Sequence, residues 1–306
     1  MFLTGFADEA SRDLKEQIRA TEELGWKFIE TRFIGNKNLG TISDAEFEDV
    51  LEILSQTDVR FNCYGSNIAN WGKSPRSDAD FEASRKELLT AIPRMHKLGI
   101  KMVRGMSFKR ATEETFDNPD LEKVIFAKIR ELVRICESEG IIYGHENCMN
   151  YGGQSWHHTL RLEDTINSIH IKLISTPGNP TSSFSRLGPK PYKLQSSWEF
   201  YSNVREFVTY VHIKDANCEV LEDGSVKQVY CWAGDGQGDV ERIVTDLIRR
   251  GYDGGFSMEP HVASVFHAQS KSDDPEALKK IMYSSYIEYG RRFEKLLEKC
   301  REAAKN

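Results

Sequence analysis

The sequence predicts an α/β fold: one closed (β/α)8 barrel occupying residues 1–306 as a single domain. Three observations predict it. A unit of amphipathic helix, glycine and short β-rich segment recurs along the chain, and alternating strands and helices imply a parallel sheet. The units supply about eight strands, the number that closes a barrel over a length of this order. The runner-up, an open doubly wound sheet, would carry a GxGxxG turn after its first strand. The nearest match, GDGQGD at 234–239, follows no strand in the right way and reads as a turn before a helix.

Taken in order, FLTGFA opens the chain as a strand, and the helical SRDLKEQIRATEEL ends at Gly25 before the strand WKFIETR. SDAEFEDVLEILSQ leads to VRFNCY. FEASRKELLTAIPRMHKL ends at Gly99 before IKMVRG, and LEKVIFAKIRELVRICESE ends at Gly140 before IIYGHE. LEDTINS leads to IHIKLIS, and SSWEFYSNVREF leads to VTYVHIK. DVERIVTDLIRR ends at Gly251 before YDGGFSME. A glycine just past the last helical turn takes φ > 0 without a Cβ clash, which marks a helix end. The long final helix, from residue 273 to residue 305, is expected to close the barrel bottom or to reach a partner subunit. The stretch from Asn179 to Leu194, with Pro180, Pro189 and Pro191, reads as an active-site loop.

Bulk properties narrow the function. A net charge of -6 argues against nucleic acid as the main partner, because phosphate recognition needs a basic surface. The N-terminus shows no signal-peptide pattern, and no run approaches the ~18 apolar residues of a membrane span. The cysteines are scattered without a CxxC pair, so a cytoplasmic protein without disulfides or a thiolate zinc site is expected.

Catalytic groups of a barrel project from the C-terminal ends of its strands. Those ends carry Glu30, Thr31 and Arg32; Arg104 and Gly105; Glu146 and Asn147; Thr176; His212, with Lys214 and Asp215 beyond; and Glu259, Pro260 and His261. Alternation along a strand puts Gly255, Ser257 and Glu259 on one face, and Ile142, Gly144 and Glu146 likewise. These faces look into the barrel, while Phe256 and Met258 meet the helices and His145 points to the helix layer or upward into a loop. Two glutamates and a histidine at one barrel mouth make a site for manganese, cobalt, magnesium or zinc. A metal bridging two substrate oxygens polarises a carbonyl and stabilises an enediolate. Two carboxylates flanking a ketose take a proton and return it. Each residue alone has a plainer reading: a surface ion pair for Glu146 or Glu259, a satisfied core histidine for His212, a structural role for Arg32 or Arg104, and a loop lining for His157 and His158.

Nearly the whole chain resembles the xylose isomerase-like TIM-barrel superfamily of sugar-phosphate isomerases and epimerases, which includes inosose dehydratase, hydroxypyruvate isomerase, ketose 3-epimerases and endonuclease IV. The resemblance lies in GFADEAS, ELGWKFIETR, HEN at 145–147, STPGNP at 175–180, VHIKDA at 211–216, GDGQGDV at 234–240 and MEPH at 258–261. It implies a metal held by Glu, Asp, His and Glu, of which Glu146, His212 and Glu259 match and Thr176 departs. A hydroxyl is a poor substitute for a carboxylate on a hard cation. Asn179 or His157 then completes the shell, or water does, or the metal chemistry is lost. The resemblance further implies Glu146 and Glu259 as acid/base groups and Lys214 as a contact to substrate oxygens or phosphate. It also places Arg32, Arg104 and His261 in the pocket lining, Trp71 and Trp232 as apolar wall, and a homo-oligomer (dimer or tetramer) acting on a small carbohydrate. The expected activity is isomerisation or epimerisation of a small ketose, sugar phosphate or keto-polyol. The alternatives are a lyase on the same scaffold, with His145, His157 or His158 as the extra acid, and a non-catalytic sugar binder. An endonuclease IV-like role is disfavoured by the acidic balance and by only 8 histidines.

Overall fold

The computed structural model describes residues 1–110, 118–263 and 274–305. Local signals start and stop the elements. Asp13 caps α1 (Leu14–Glu23), its carboxylate accepting from the amides of Lys15 and Glu16. Ser43 and Glu46 form a reciprocal capping box on α2 (Asp44–Ser55). The four glycines expected to end helices, Gly25, Gly99, Gly140 and Gly251, all have φ between +67 and +76. No atom lies within 4 Å of where a Cβ would stand at any of them, so backbone conformation and not space selects glycine there.

Eight parallel strands form a nearly closed barrel: β1 (Phe2–Gly5), β2 (Phe28–Thr31), β3 (Arg60–Gly65), β4 (Met102–Gly105), β5 (Ile142–Glu146), β6 (Ile171–Ser175), β7 (Val208–Ile213) and β10 (Gly255–Met258). The hydrogen-bonded order runs β1-β10-β7-β6-β5-β4-β3-β2, and β1 and β2 adjoin without a ladder between them among the described residues. Outside lie α1, α2, α3 (Asp78–Leu98), α4 (Pro119–Ser138), α5 (Trp156–Ile166), α6 (Ser197–Val204), α7 (Val240–Arg249) and α8 (Pro275–Lys305). The fold is the expected (β/α)8 TIM barrel.

Alternation sorts the strand side chains as anticipated. Inside, Cys63, Ile174 and Tyr210 pack with Phe2 and Met102 as an apolar plug. Gly144 and Gly255 make room for it, since a Cβ would stand 2.6 Å from Ile174 and 2.5 Å from Tyr210. Outside, Phe256 and Met258 join the helix-facing core, where Phe256 meets Phe293 edge-on at 5.8 Å. Burial of each such side chain contributes roughly 1.5–3 kcal/mol.

Three features differ from the sequence reading. Between β7 and α7 the chain makes an antiparallel hairpin, β8 (Asp215–Val220) and β9 (Val226–Cys231), that the sequence reading had passed over. The final helix does not close the barrel bottom; it lies on the outer wall between α1 and α7, burying Tyr286, Tyr289, Phe293 and Leu297. Its expected first residue, Asp273, lies outside the described residues. From the loop at 179–194 only Asn179 and Ser182 reach the barrel mouth, because Ser185–Leu194 folds against Trp156 and α6. All six cysteines are free. No helix among the described residues is long and apolar enough to cross a membrane.

Candidate active site

The C-terminal ends of the strands open into a cavity of about 270 Å³. Glu146 ends β5, Glu259 follows β10, and His212 sits within β7, so the strand pattern itself delivers two carboxylates and an imidazole to one point. His212 Nδ1 lies 3.7 Å from Glu146 Oε1 and 3.8 Å from Glu259 Oε2. One ligand atom from each residue falls within 4.8 Å of the others, and all three residues are buried. Atoms sharing one divalent cation at ~2.0–2.2 Å stand about 3–4 Å apart, so the spacing fits an ion. His212 Nδ1 and Glu259 Oε2 are buried without a hydrogen bond, which is where an ion would satisfy them. The Lys214 ammonium is 2.8 Å from Glu259 Oε2, a close ion pair out of line with hydrogen-bond geometry.

Thr176, where the family pattern has Asp, donates to Glu146 Oε1 at 3.3 Å, and Asn179 Nδ2 donates to the same oxygen at 3.1 Å. Asn179, expected to complete the metal shell, thus stands beside Glu146 with its amide nitrogen toward that carboxylate. Arg104 Nη1 approaches the other Glu146 oxygen at 3.4 Å. Burial works against the charge on Glu146, but His212 and Arg104 hold its pKa at about 2. Burial likewise opposes ionisation of Glu259, yet Lys214 and His261 keep it well below the usual range. Burial opposes charging of His212 too, but Glu30 and Glu146 raise it to about 9.

Behind Glu259 lies an ion cluster. Arg32 reaches Asp8 (3.0 Å), Glu9 (3.2 Å) and Glu259 (3.6 Å). His261 bridges Glu9 (3.0 Å) and Glu259 (3.2 Å) in a left-handed backbone conformation, φ +54, while its amide donates to Glu9. The Phe6 ring carries the Arg32 and Arg104 guanidinium carbons at 4.3 and 5.1 Å.

Of the other expected residues, Arg32, Arg104, Lys214, His261 and Trp71 line the cavity, with Trp71 42% exposed at its mouth. Trp232 does not line it; the indole packs on Tyr289 under the Arg292 guanidinium. His145, His157 and His158 are also absent from the lining. His145 is tied to Ser107 at 3.0 Å, and burial lowers its pKa to about 4. His157 is exposed on α5, and His158 turns to Ser155. Sequence reasoning missed Asp8 and Glu9, the partner role of Glu30, and the hairpin residues Gln228 and Tyr230 that also line the cavity. The acidic pair in GFADEA just after β1 was the available signal for the first two.

The sequence profile of xylose isomerase-like TIM barrels matches residues 18–283. The chain belongs to that family. No curated protein matches it. Among solved structures, this xylose isomerase-like barrel is similar to the IOLI protein with a bound zinc atom, at TM-score 0.70 and 16% identity over 98% of this chain and 99% of that one. It is similar to a D-tagatose 3-epimerase-like protein, at TM-score 0.67 and 17% identity over 99% of both chains. A xylose isomerase-like TIM barrel protein from Mycobacterium smegmatis, in complex with magnesium, aligns at TM-score 0.62 and 17% identity over 89% of both chains. At these identities the likeness is one of fold.

Proposed function

We propose that this protein is a metal-dependent isomerase or epimerase of a small ketose, sugar phosphate or keto-polyol. The observation that carries the reading is the convergence of Glu146, His212 and Glu259 on the room for one cation at the barrel mouth. A divalent cation held by these residues supplies Lewis-acid polarisation of a substrate carbonyl. The chain's own groups supply the rest. Glu146 and Glu259 face the cavity from the ends of β5 and β10, and in this reading one removes a proton beside the carbonyl and the other returns one. Lys214 and Arg104, each beside one of these carboxylates, stabilise negative charge developing on the substrate oxygens. Trp71, Met106 and Met149 form an apolar wall against which the carbon face of a sugar would lie. Epimerase and isomerase likeness in fold is consistent with the reading, but the residues carry it.

The test is deuterium incorporation at the carbon beside the carbonyl for a panel of ketoses in heavy water with manganese present. Exchange, with an isomeric product, is expected. An unsaturated product would assign elimination instead, and metal binding without exchange on any ketose would overturn the proposal. Lys214→Met gives a second arm. It removes a cation 2.8 Å from a ligand oxygen, so metal affinity is expected to rise while kcat falls about 10²–10³-fold. A variant that lowers both has merely damaged the site.

A further inference from the structure

Glu30 is fully buried inside the barrel, on the far side of His212 from the cavity. Its carboxylate oxygens stand 3.3 and 3.2 Å from His212 Nε2, and Ser257 Oγ donates to Oε2 at 2.6 Å. The β2–β3 register shifts between Ile29 and Glu30, and such an irregularity re-aims the side chain that follows it. The imidazole is held from its flanks as well, by Phe6 at 5.1 Å and Tyr210 at 5.9 Å, both edge-on.

We infer that Glu30 is the positioning residue that makes His212 a metal ligand and that supplies, from behind the imidazole, the negative charge Thr176 withholds from the site. The inference rests on the metal-dependent reading above. A neutral imidazole carries one ring proton, and the nitrogen that carries it cannot ligate. A carboxylate accepts hydrogen bonds and offers none, so Glu30 holds one ring proton on Nε2, and a divalent ion would displace the other from Nδ1, which lies between Glu146 and Glu259. A carboxylate behind a ligating histidine also strengthens the imidazole as a donor. The charge argument is independent of the tautomer. The cation would face only two carboxylates directly, because position 176 bears a hydroxyl spent on Glu146. With Glu30 one imidazole away, three carboxylates act on the ion, as many as an Asp at position 176 would give without Glu30. Glu30 cannot leave for another role: it is buried, hydrogen-bonded to Ser257 and without access to the cavity lining.

The experiment is calorimetric titration of the full chain with Mn²⁺ and with Zn²⁺, on protein stripped by chelator and shown folded by circular dichroism. Glu30→Gln, which preserves shape and removes the charge, is expected to weaken both affinities about 10–100-fold. Adding Thr176→Asp to Glu30→Gln is expected to recover at least tenfold of that loss and to gain less in the wild type, where Glu30 already supplies the charge; equal gains in both backgrounds would mark a merely structural defect at residue 30 and overturn the inference. Ser257→Ala, which frees one Glu30 oxygen but keeps its charge, is expected to cost several-fold. It reads the same effect should Glu30→Gln fail to fold. Unchanged affinity in Glu30→Gln, or no gain from Thr176→Asp in the pair, overturns the inference while leaving the metal-dependent function standing. A wild-type chain that binds neither ion overturns both.

Discussion

Glu163 on α5 is a carboxyl in the wrong medium. It is buried, and its Oε1 makes no hydrogen bond. Burial pushes its pKa up to about 8 from 4.5. The folded chain thus holds a proton that the unfolded chain gives up above pH 4.5, so stability falls as pH rises from about 4.5 to 8 and levels off beyond. Glu163→Gln should gain on the order of 4 kcal/mol at pH 8 and almost nothing at pH 4. Urea unfolding at the two pH values measures it; equal gains at both would refute the assignment. At this scale the sequence was informative only where one strand's alternation decides the matter. Glu146 and Glu259 each follow from period-two counting along their own strand, and His212 from its place at a strand end. Glu30 and His212 are 182 residues apart, and Glu9 and His261 are 252, so their pairing exists only once the barrel has closed. The orientation of Asn179, amide nitrogen toward Glu146, depends in the same way on a neighbour that no local pattern names.

The hairpin and the glycine-rich turn after it are organised by one side chain. Asp215 accepts from the backbone amides of Ala216, Gly234, Gly236 and Gly238 at 2.8–3.0 Å. A Cβ at Gly236 or Gly238 would stand 2.3 or 2.7 Å from that carboxylate, which is why GDGQGD spaces its glycines by two. The turn was readable from the sequence, but the reason for it was not, because the acceptor lies about 20 residues upstream. Asp215→Ala would strand these amides and is expected to cost about 2–4 kcal/mol in unfolding free energy. Because β9 carries Gln228 and Tyr230 into the cavity, KM should rise more than kcat falls. An unchanged KM would show that the hairpin holds its place without the carboxylate. Glycine-capped helices, by contrast, were legible throughout, since caps are made by residues within one turn of the helix end.

At the scale of the whole molecule the architecture was legible because each strand–helix unit is local and the units repeat. The lie of α8 was not, since an amphipathic helix at the end of a chain says that one face is covered and not by what. The apolar stripe through Tyr286, Tyr289, Phe293 and Leu297 turned out to match the groove between α1 and α7.

The missing ladder between β1 and β2 gives the site a mechanical duty. A cask with one unglued joint is held by its hoop, and the hoop here is Arg32, which leaves the end of β2 to grip Asp8 and Glu9 past β1 and Glu259 past β10. A cation seated on Glu259 would stabilise the folded rim that positions that carboxylate. Hydrogen exchange should therefore find the amides that face this joint, in Phe2–Gly5 and Phe28–Thr31, the first of the staves to open and the most slowed by a divalent ion. Uniform protection of all eight, indifferent to the ion, would mean that the rim bears no tension at all.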